Sequence, residues 1–231
     1  AVTAGLLGIG RIKGIERPAI VTPIPNEKGG HTFLIDSGAS ANAKAKNLLQ
    51  NALLGYNYAK RVRHIAEPKV GLLNIGAEST KGSTEATEAY ELLSKQTWFP
   101  FAGNCEGRDI PTGKFDVVVT DGFTGNVVLK FGEGLGRLFV TMIKDAANRG
   151  GITAKLGALL LKPALKKYMM KKLDYEEEGG APLLGINGTL IISHGASRRR
   201  AIRNAVRLAS QVAEERIPDI VRETLQEELK D

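Results

Sequence analysis

Short apolar runs rich in β-branched and aromatic residues alternate along the chain with longer segments of helical period, the pattern of a largely parallel sheet with helices on its faces. The runs "PAIVTPI" (18–24), "HTFLID" (31–36), "KVGLLNIG" (69–76), "WFPFAG" (98–103), "FDVVVTD" (115–121) and "GTLIIS" (188–193) predict strands. Leu48, Ala52, Leu53, Tyr56 and Ala59 place one apolar face on a helix expected over about 44–65. A second helix is predicted through "STEATEAYELLSK", with Ser83 as its N-cap. Near the end of the chain Ile202, Val206, Ala209 and Ala213 recur at helical spacing, until Pro218 starts a new turn or a kink. The opening stretch "AVTAGLLGIGRIKG" has an apolar start with no basic region before it, so it predicts a helix entered partway along rather than a signal peptide. The expectation is one α/β domain over 1–231 with a helical excursion at about 139–175.

Composition narrows this picture little, but charge location sharpens it. A chain of 231 residues that is 42% hydrophobic and 25% charged buries a real core. Its formal charge of +7 equals the net charge of the segment Phe139–Lys172 alone, so the rest of the chain is balanced. A single cysteine excludes an internal disulfide and a Cys-based zinc cage, and points to a reducing cytoplasm. The three histidines, His31, His64 and His194, show no metal-ligand spacing, and no apolar run reaches the roughly 18 residues of a bilayer span.

Ligands of open α/β sheets gather beyond the carboxyl ends of strands. Five polar clusters follow predicted strands: Asp36–Ser40, Asn74–Gly76, Gly103–Asp109, Asp121–Asn126 and Ser193–Ser197. They are expected to share one sheet edge and one cleft. In "DGFTGN", Gly122 and Gly125 permit close backbone approach, Thr124 supplies a hydroxyl and Asn126 an amide, so the turn reads as an anion-binding nest at a helix start. It reads equally as a helix cap made by Asp121 or Thr124. In "GNCEGRDI", Arg108 is a bidentate phosphate ligand that Glu106 and Asp109 orient, or else a member of a surface ion pair. Cys105 reads as buried packing rather than a nucleophile. His194 and Ser197 lack the elbow of a hydrolase, and a helix cap by Ser197 explains them as well. The segment "ITAKLGALLLKPALKKYMMKKLDY" is a basic amphipathic stretch suited to an anionic membrane or acidic partner, at about 1 kcal/mol per basic residue near a membrane surface, or to a helix–helix dimer interface.

The stretches "GRIKGIERPAI", "KVGLLNIG", "GNCEGRDIPTGKFDVVVTDGFTGNVVLK", "GGAPLLGING" and "HGAS" resemble those of the bacterial phosphate acyltransferases of phospholipid synthesis (acyl-acyl-carrier-protein:phosphate acyltransferases). The resemblance implies a three-layer α/β fold of the isocitrate/isopropylmalate dehydrogenase type, related to phosphotransacetylases, and a cytoplasmic, peripherally membrane-associated homodimer. The family usually carries a further N-terminal portion with glycine-rich loops, ending before a segment like "TAGLLGIGRIKG". Where its members read Gly-Ala-Asn-x-Asp, this chain has Gly38-Ala39-Ser40-Ala41-Asn42.

The implied reaction transfers a fatty acyl group from acyl carrier protein to inorganic phosphate, with no metal, no cofactor and no nucleic acid involved. For that reaction, position at a strand end and residue type make Asn104, Glu106, Arg108, Asp121, Asn126 and His194 the expected catalytic residues. Asp36, Asn74, Asp109, Gly122, Thr124, Gly125 and Lys130 are expected to bind phosphate or acyl groups. Lys155, Leu160, Lys162, Lys166, Lys167, Met169 and Lys171 are expected to dock the membrane or the carrier protein. A phosphotransacetylase-like enzyme using acyl-CoA and a non-catalytic binding module are the alternatives. A dinucleotide-dependent dehydrogenase is disfavoured, since no GxGxxG turn follows a strand and Gly5, Gly8 and Gly10 fall on an expected helix.

Overall fold

The computed structural model describes residues 2–165 and 175–227. Helix α1 (Val2–Gly8) leads into a hairpin of β1 (Ala19–Pro25) and β2 (His31–Ile35). Then follow α2 (Ala45–Asn57), extended by a π-helical turn (Tyr58–Val62), β3 (Val70–Asn74), α3 (Thr84–Lys95) and β4 (Phe101–Glu106). A 3-10 turn (Gly107–Thr112) leads to β5 (Val117–Val119), the long α4 (Gly122–Arg149) and α5 (Gly151–Leu165). The chain ends with a single turn α6 (Tyr175–Glu178), β6 (Ala181–Leu184), β7 (Ile191–Ile192), α7 (Arg199–Glu214) and α8 (Ile217–Glu227).

Among the described residues seven strands form one sheet in the order β4-β3-β5-β2-β1-β6-β7. Pairings β3/β4, β3/β5 and β2/β5 are parallel, whereas β1/β2, β1/β6 and β6/β7 are antiparallel. The sheet is therefore mixed, which corrects the expectation of a largely parallel one. The cause is local: five residues separate β1 from β2 and six separate β6 from β7, too few for the crossover that a parallel neighbour requires.

Side chains alternate across the sheet with the strand period of two. Phe33, Ile35, Val117 and Val119 belong to the larger buried cluster with Leu53, Leu54 and Tyr58 of the α2 region. Leu34 and Val118 point the other way, to Cys105, Ile110 and Phe115. Each such fully buried large apolar side chain contributes roughly 1.5–3 kcal/mol. Helix α2 is buried along most of its length, including Asn47, Gln50, Asn51 and Asn57. Gln50 explains part of that polarity: its Nε2 donates to the Gly14 carbonyl at 2.7 Å and its Oε1 accepts from the Glu16 N–H at 2.9 Å.

Three expectations shift in detail. Strand β4 starts at Phe101 rather than residue 98, because Pro100 has no N–H for a ladder and the Gln96 Oε1 takes the N–H groups of Trp98 and Phe99 at 2.7 and 3.1 Å. Strand β6 had no counterpart in the pattern, since "APLL" is short and sits between glycines. Helix α7 buries Ala201, Ala205, Leu208 and Val212, one register away from the expected face, and leaves Ile202 and Val206 exposed. Ser83 does cap α3, accepting from the Ala86 N–H at 3.3 Å.

Candidate functional site

Strands β2, β5, β3 and β4 run in one direction, so their carboxyl ends share an edge. At about 4.8 Å per strand, the end of β4 stands roughly 10 Å from the end of β5 and roughly 14 Å from that of β2. Four of the five expected clusters thus meet at this edge. The fifth does not: β7 runs antiparallel to β6, which itself pairs antiparallel with β1, so Ser193 and His194 leave at the edge where β2 begins. There the Ser193 hydroxyl donates to the Gly179 carbonyl at 2.8 Å and the His194 Nδ1 accepts from the Ala196 N–H at 3.1 Å. Nearby, Glu178 faces both His31 (3.4 Å) and Arg63 (3.3 Å), and Glu177 pairs with Arg200. The expected catalytic role of His194 beside Arg108 is corrected by this topology. Ser197 does not cap α7 either; Arg198 occupies the N-cap position.

At the shared edge, the loop after β2 is organised around Asp36, which is 1% exposed. Its Oδ1 accepts from the N–H groups of Ile20 (3.0 Å), Gly38 (3.0 Å) and Ala39 (2.8 Å), and its Oδ2 from Ser40 (2.8 Å). Burial pushes the Asp36 carboxyl above the usual aspartate range, and these N–H groups oppose the shift. A buried carboxylate with its acceptor sites taken is no ligand for phosphate, so Asp36 is a loop organiser rather than the expected substrate contact.

The start of α4 closes onto that loop. The Gly122 N–H donates to the Ser40 carbonyl at 2.9 Å, and a Cβ added at Gly125 would lie 1.9 Å from the Asp36 carbonyl oxygen. Gly122 and Gly125 are glycines because backbone occupies the space a side chain would need. Asp121 caps the helix: Oδ1 accepts from the Thr124 N–H at 2.8 Å and Oδ2 from the Thr124 hydroxyl at 2.6 Å. The expected anion nest therefore gives way to the capping alternative, with Asp121, Gly122, Thr124 and Gly125 committed to the fold. Asn126 is exposed and stands against Gly38. Lys130 pairs with Glu133 at 3.1 Å on the exposed flank of α4.

Two expected site asparagines also serve the fold. Asn74 donates to the Lys81 carbonyl at 2.8 Å, and Asn104 donates to the Glu78 carbonyl at 2.7 Å, so together they pin the loop between β3 and α3. Asn104 lies within β4, 5% exposed, and its Oδ1 has no hydrogen-bond partner among the described residues. The pinned loop presents exposed Ser79, Thr80 and Lys81 at the same edge. The signal for them in the sequence is the run "ESTKGST", rich in hydroxyls and lysine between strand and helix, although no polar cluster expected at a strand end includes it.

The turn after β4 is open by contrast. Glu106 donates its N–H to the Asp109 Oδ2 at 3.2 Å, and Asp109 also faces Lys114 at 3.8 Å. Arg108 is 79% exposed and spends one nitrogen on the Glu106 Oε1 at 2.9 Å, which leaves most of its five N–H donors free for a ligand. Cys105 beneath it is fully buried, its thiol pushed up to about 12 chiefly by burial, as a packing residue would be.

Lys155, Leu160 and Lys162 lie exposed on α5, which buries no side chain. Lys166, Lys167, Met169 and Lys171 fall outside the described residues. No helix among the described residues is long and apolar enough to cross a membrane.

The fold resembles that of a phosphotransacetylase from Streptococcus pyogenes, at 18% identity and a TM-score of 0.58 over 93% of this chain and 59% of that one. It also resembles a branched-chain phosphotransacylase from Enterococcus faecalis, at 13% identity and a TM-score of 0.53 over 87% and 67%. Sequence relatives are much nearer. A phosphate acyltransferase of Heliobacterium modesticaldum is 54% identical over 91% of this chain and 62% of its own length. One of Staphylococcus haemolyticus is 46% identical over 97% and 68%. The chain thus spans a little under two thirds of the Heliobacterium relative. The family model described as "Fatty acid synthesis protein" matches residues 1–219. With that match and these identities, the chain belongs to the phosphate acyltransferase family of fatty acid synthesis proteins.

Proposed function

We propose that the protein is an acyltransferase that moves a fatty acyl group from a thioester donor to inorganic phosphate, supplying acyl phosphate for phospholipid synthesis. The observation that carries this reading is the family match across residues 1–219. Phosphate is a nucleophile at neutral pH, so no covalent enzyme intermediate is needed. A phosphate oxygen attacks the thioester carbonyl; the C–O bond forms, the C–S bond breaks, and its electron pair leaves on sulfur. A thiol of ordinary acidity departs as thiolate and takes its proton from water. The protein's task is to hold a dianion against the carbonyl and to stabilise the tetrahedral oxyanion. Arg108 is the phosphate ligand in this reading, with Lys81 and the hydroxyls of Ser79 and Thr80 beside it. Asn126, exposed at the first turn of α4, supplies a donor to the carbonyl oxygen.

The same reading takes acyl carrier protein as the donor and a peripheral, cytoplasmic membrane surface as the place of work. Support comes from exposed Lys155 and Lys162 among exposed Leu156, Leu159, Leu160 and Leu161, a surface suited to acidic protein or anionic lipid. A homodimer is supported by Phe123, Val127, Phe131, Leu138 and Met142, exposed along one face of α4. Kinship with the isocitrate/isopropylmalate dehydrogenase fold belongs to this proposal as well. The test is thiol release from acyl-carrier-protein and acyl-CoA thioesters with and without phosphate. Phosphate-dependent release with the carrier-protein donor is expected; release that ignores phosphate would sink the reading.

A further inference from the structure

A cavity of about 560 Å³ lies where α1, the segment before β1 and the loop after β2 meet, lined by Val2, Leu6, Arg11, Arg17, Pro18 and Ser40 among others. Of these residues Ser40 alone belongs to the site described above, and it links the two, since its carbonyl receives the Gly122 N–H at the start of α4. Both arginines are held by backbone: Arg11 Nη1 donates to the Glu16 carbonyl, and Arg17 Nη1 to the Asn42 carbonyl at 2.6 Å. One bond each positions the guanidinium groups and leaves most of their donors for a ligand. Glu16, also on the lining, does not cancel them: its carboxylate faces Lys46 at 3.0 Å and the Asn47 amide at 2.9 Å.

Two positioned arginines facing a shared space select a phosphate group, which takes paired N–H donors. The space far exceeds what a bare phosphate fills, a single water occupying about 30 Å³ in the liquid. Its other wall is apolar, with Val2, Leu6 and Pro18, so the ligand carries a hydrocarbon part beside its phosphate. The cavity stands at the start of β1, four strands along from β4 and so roughly 19 Å from the turn bearing Arg108. A pantetheine arm, drawn out from its phosphate to its sulfur, reaches about 15 Å at the per-bond rise of an extended chain. With the length of an arginine side chain at one end, the arm spans the gap.

We propose that Arg11 and Arg17 bind the phosphate ester of the acyl donor's phosphopantetheine arm, with the neighbouring dimethyl carbon against Val2 and Leu6. This rests on the acyl-transfer reading, and it names the part of the donor held farthest from the reacting carbonyl. The phosphate ester is common to coenzyme A and to a carrier protein's prosthetic arm, so the subsite takes the chemistry that both share.

Calorimetric titration with phosphopantetheine and with pantetheine tests it. The protein should bind phosphopantetheine about tenfold more tightly. Arg11→Gln and Arg17→Gln should each lose part of that preference, and the double variant all of it, with an unchanged melting temperature. Equal binding of the two probes, or a preference surviving in the double variant, would overturn the subsite. In turnover the double variant should raise the KM of the donor and leave that for phosphate unchanged. A rise with only acyl-CoA or only the acyl-carrier-protein thioester tells which source docks here. If the binding preference is present and no acyl phosphate forms, the acyl-transfer reading fails while the subsite stands.

Discussion

Two polar turns at the same sheet edge behave in opposite ways. The loop after β2, together with the start of α4, is closed: Asp36, Asp121, Thr124 and the Gly122 N–H spend their hydrogen bonds on one another and on nearby backbone. The turn after β4 is open: Arg108 lies in solvent with one nitrogen on Glu106. Both look alike in sequence, each a carboxylate among glycines after an apolar run. Position at a strand end nominates a site, but unspent hydrogen-bonding capacity decides whether it can receive a ligand.

This contrast is open to attack at several points. The largest effect is expected at Gly125→Ala, where the new Cβ meets the Asp36 carbonyl oxygen at 1.9 Å and backbone must move. We expect a loss of about 3 kcal/mol or more, a fall in melting temperature of roughly 6–12 °C; a melt within error of the parent would show that the closed turn is not tightly fitted. Next is Arg108→Ala, which should lower phosphate-dependent acyl transfer about a hundredfold, roughly 2.7 kcal/mol, with an unchanged melting curve. Activity at the parent level in that variant would remove Arg108 from the site.

Asp36→Asn should cost about 1–3 kcal/mol, since an amide cannot accept at both oxygen positions and the Ser40 N–H would face an NH2 group. The pH dependence of that difference has a definite sign. Because the folded carboxyl is raised above its unfolded value, folding binds a proton as pH rises between the two, and stability falls through that window. The gap between parent and variant is therefore largest below the ordinary aspartate range, shrinks as pH rises through the raised one and is constant above. Chemical denaturation across mildly acidic pH measures it, and a gap that widened with pH would contradict the burial argument. The smallest effect is expected at Ser83→Ala, about 1 kcal/mol for a lost N-cap bond, read by the same denaturation at neutral pH.

Much of the frame is legible in the sequence. Six strands, the α2 and α3 helices and the Ser83 cap follow from period, β-branching and capping chemistry, which are properties of neighbours in sequence. The strand β6 escaped because four residues between glycines carry no period. The buried face of α7 is not legible in the sequence, because small Ala201 and Ala205 are buried while larger Ile202 and Val206 are exposed. In the site, the sequence named Arg108 and its carboxylate neighbours, but also enlisted Asp36, Asn74, Asn104 and Asp121. Nothing in a residue's identity tells whether its partner will be a ligand or a backbone N–H brought from elsewhere in the chain.

Local sequence thus determined which segments become strands and helices, which turns carry acids, amides and guanidinium groups, and, through close identity to named relatives, the family. Only the tertiary structure decided the direction of each strand. That direction sent His194 to the opposite edge from Arg108 and brought Arg17 to the same edge. It also decided which polar groups remain available, because a buried donor or acceptor must find a partner at folding. The choice among partners is made by packing between segments distant in sequence.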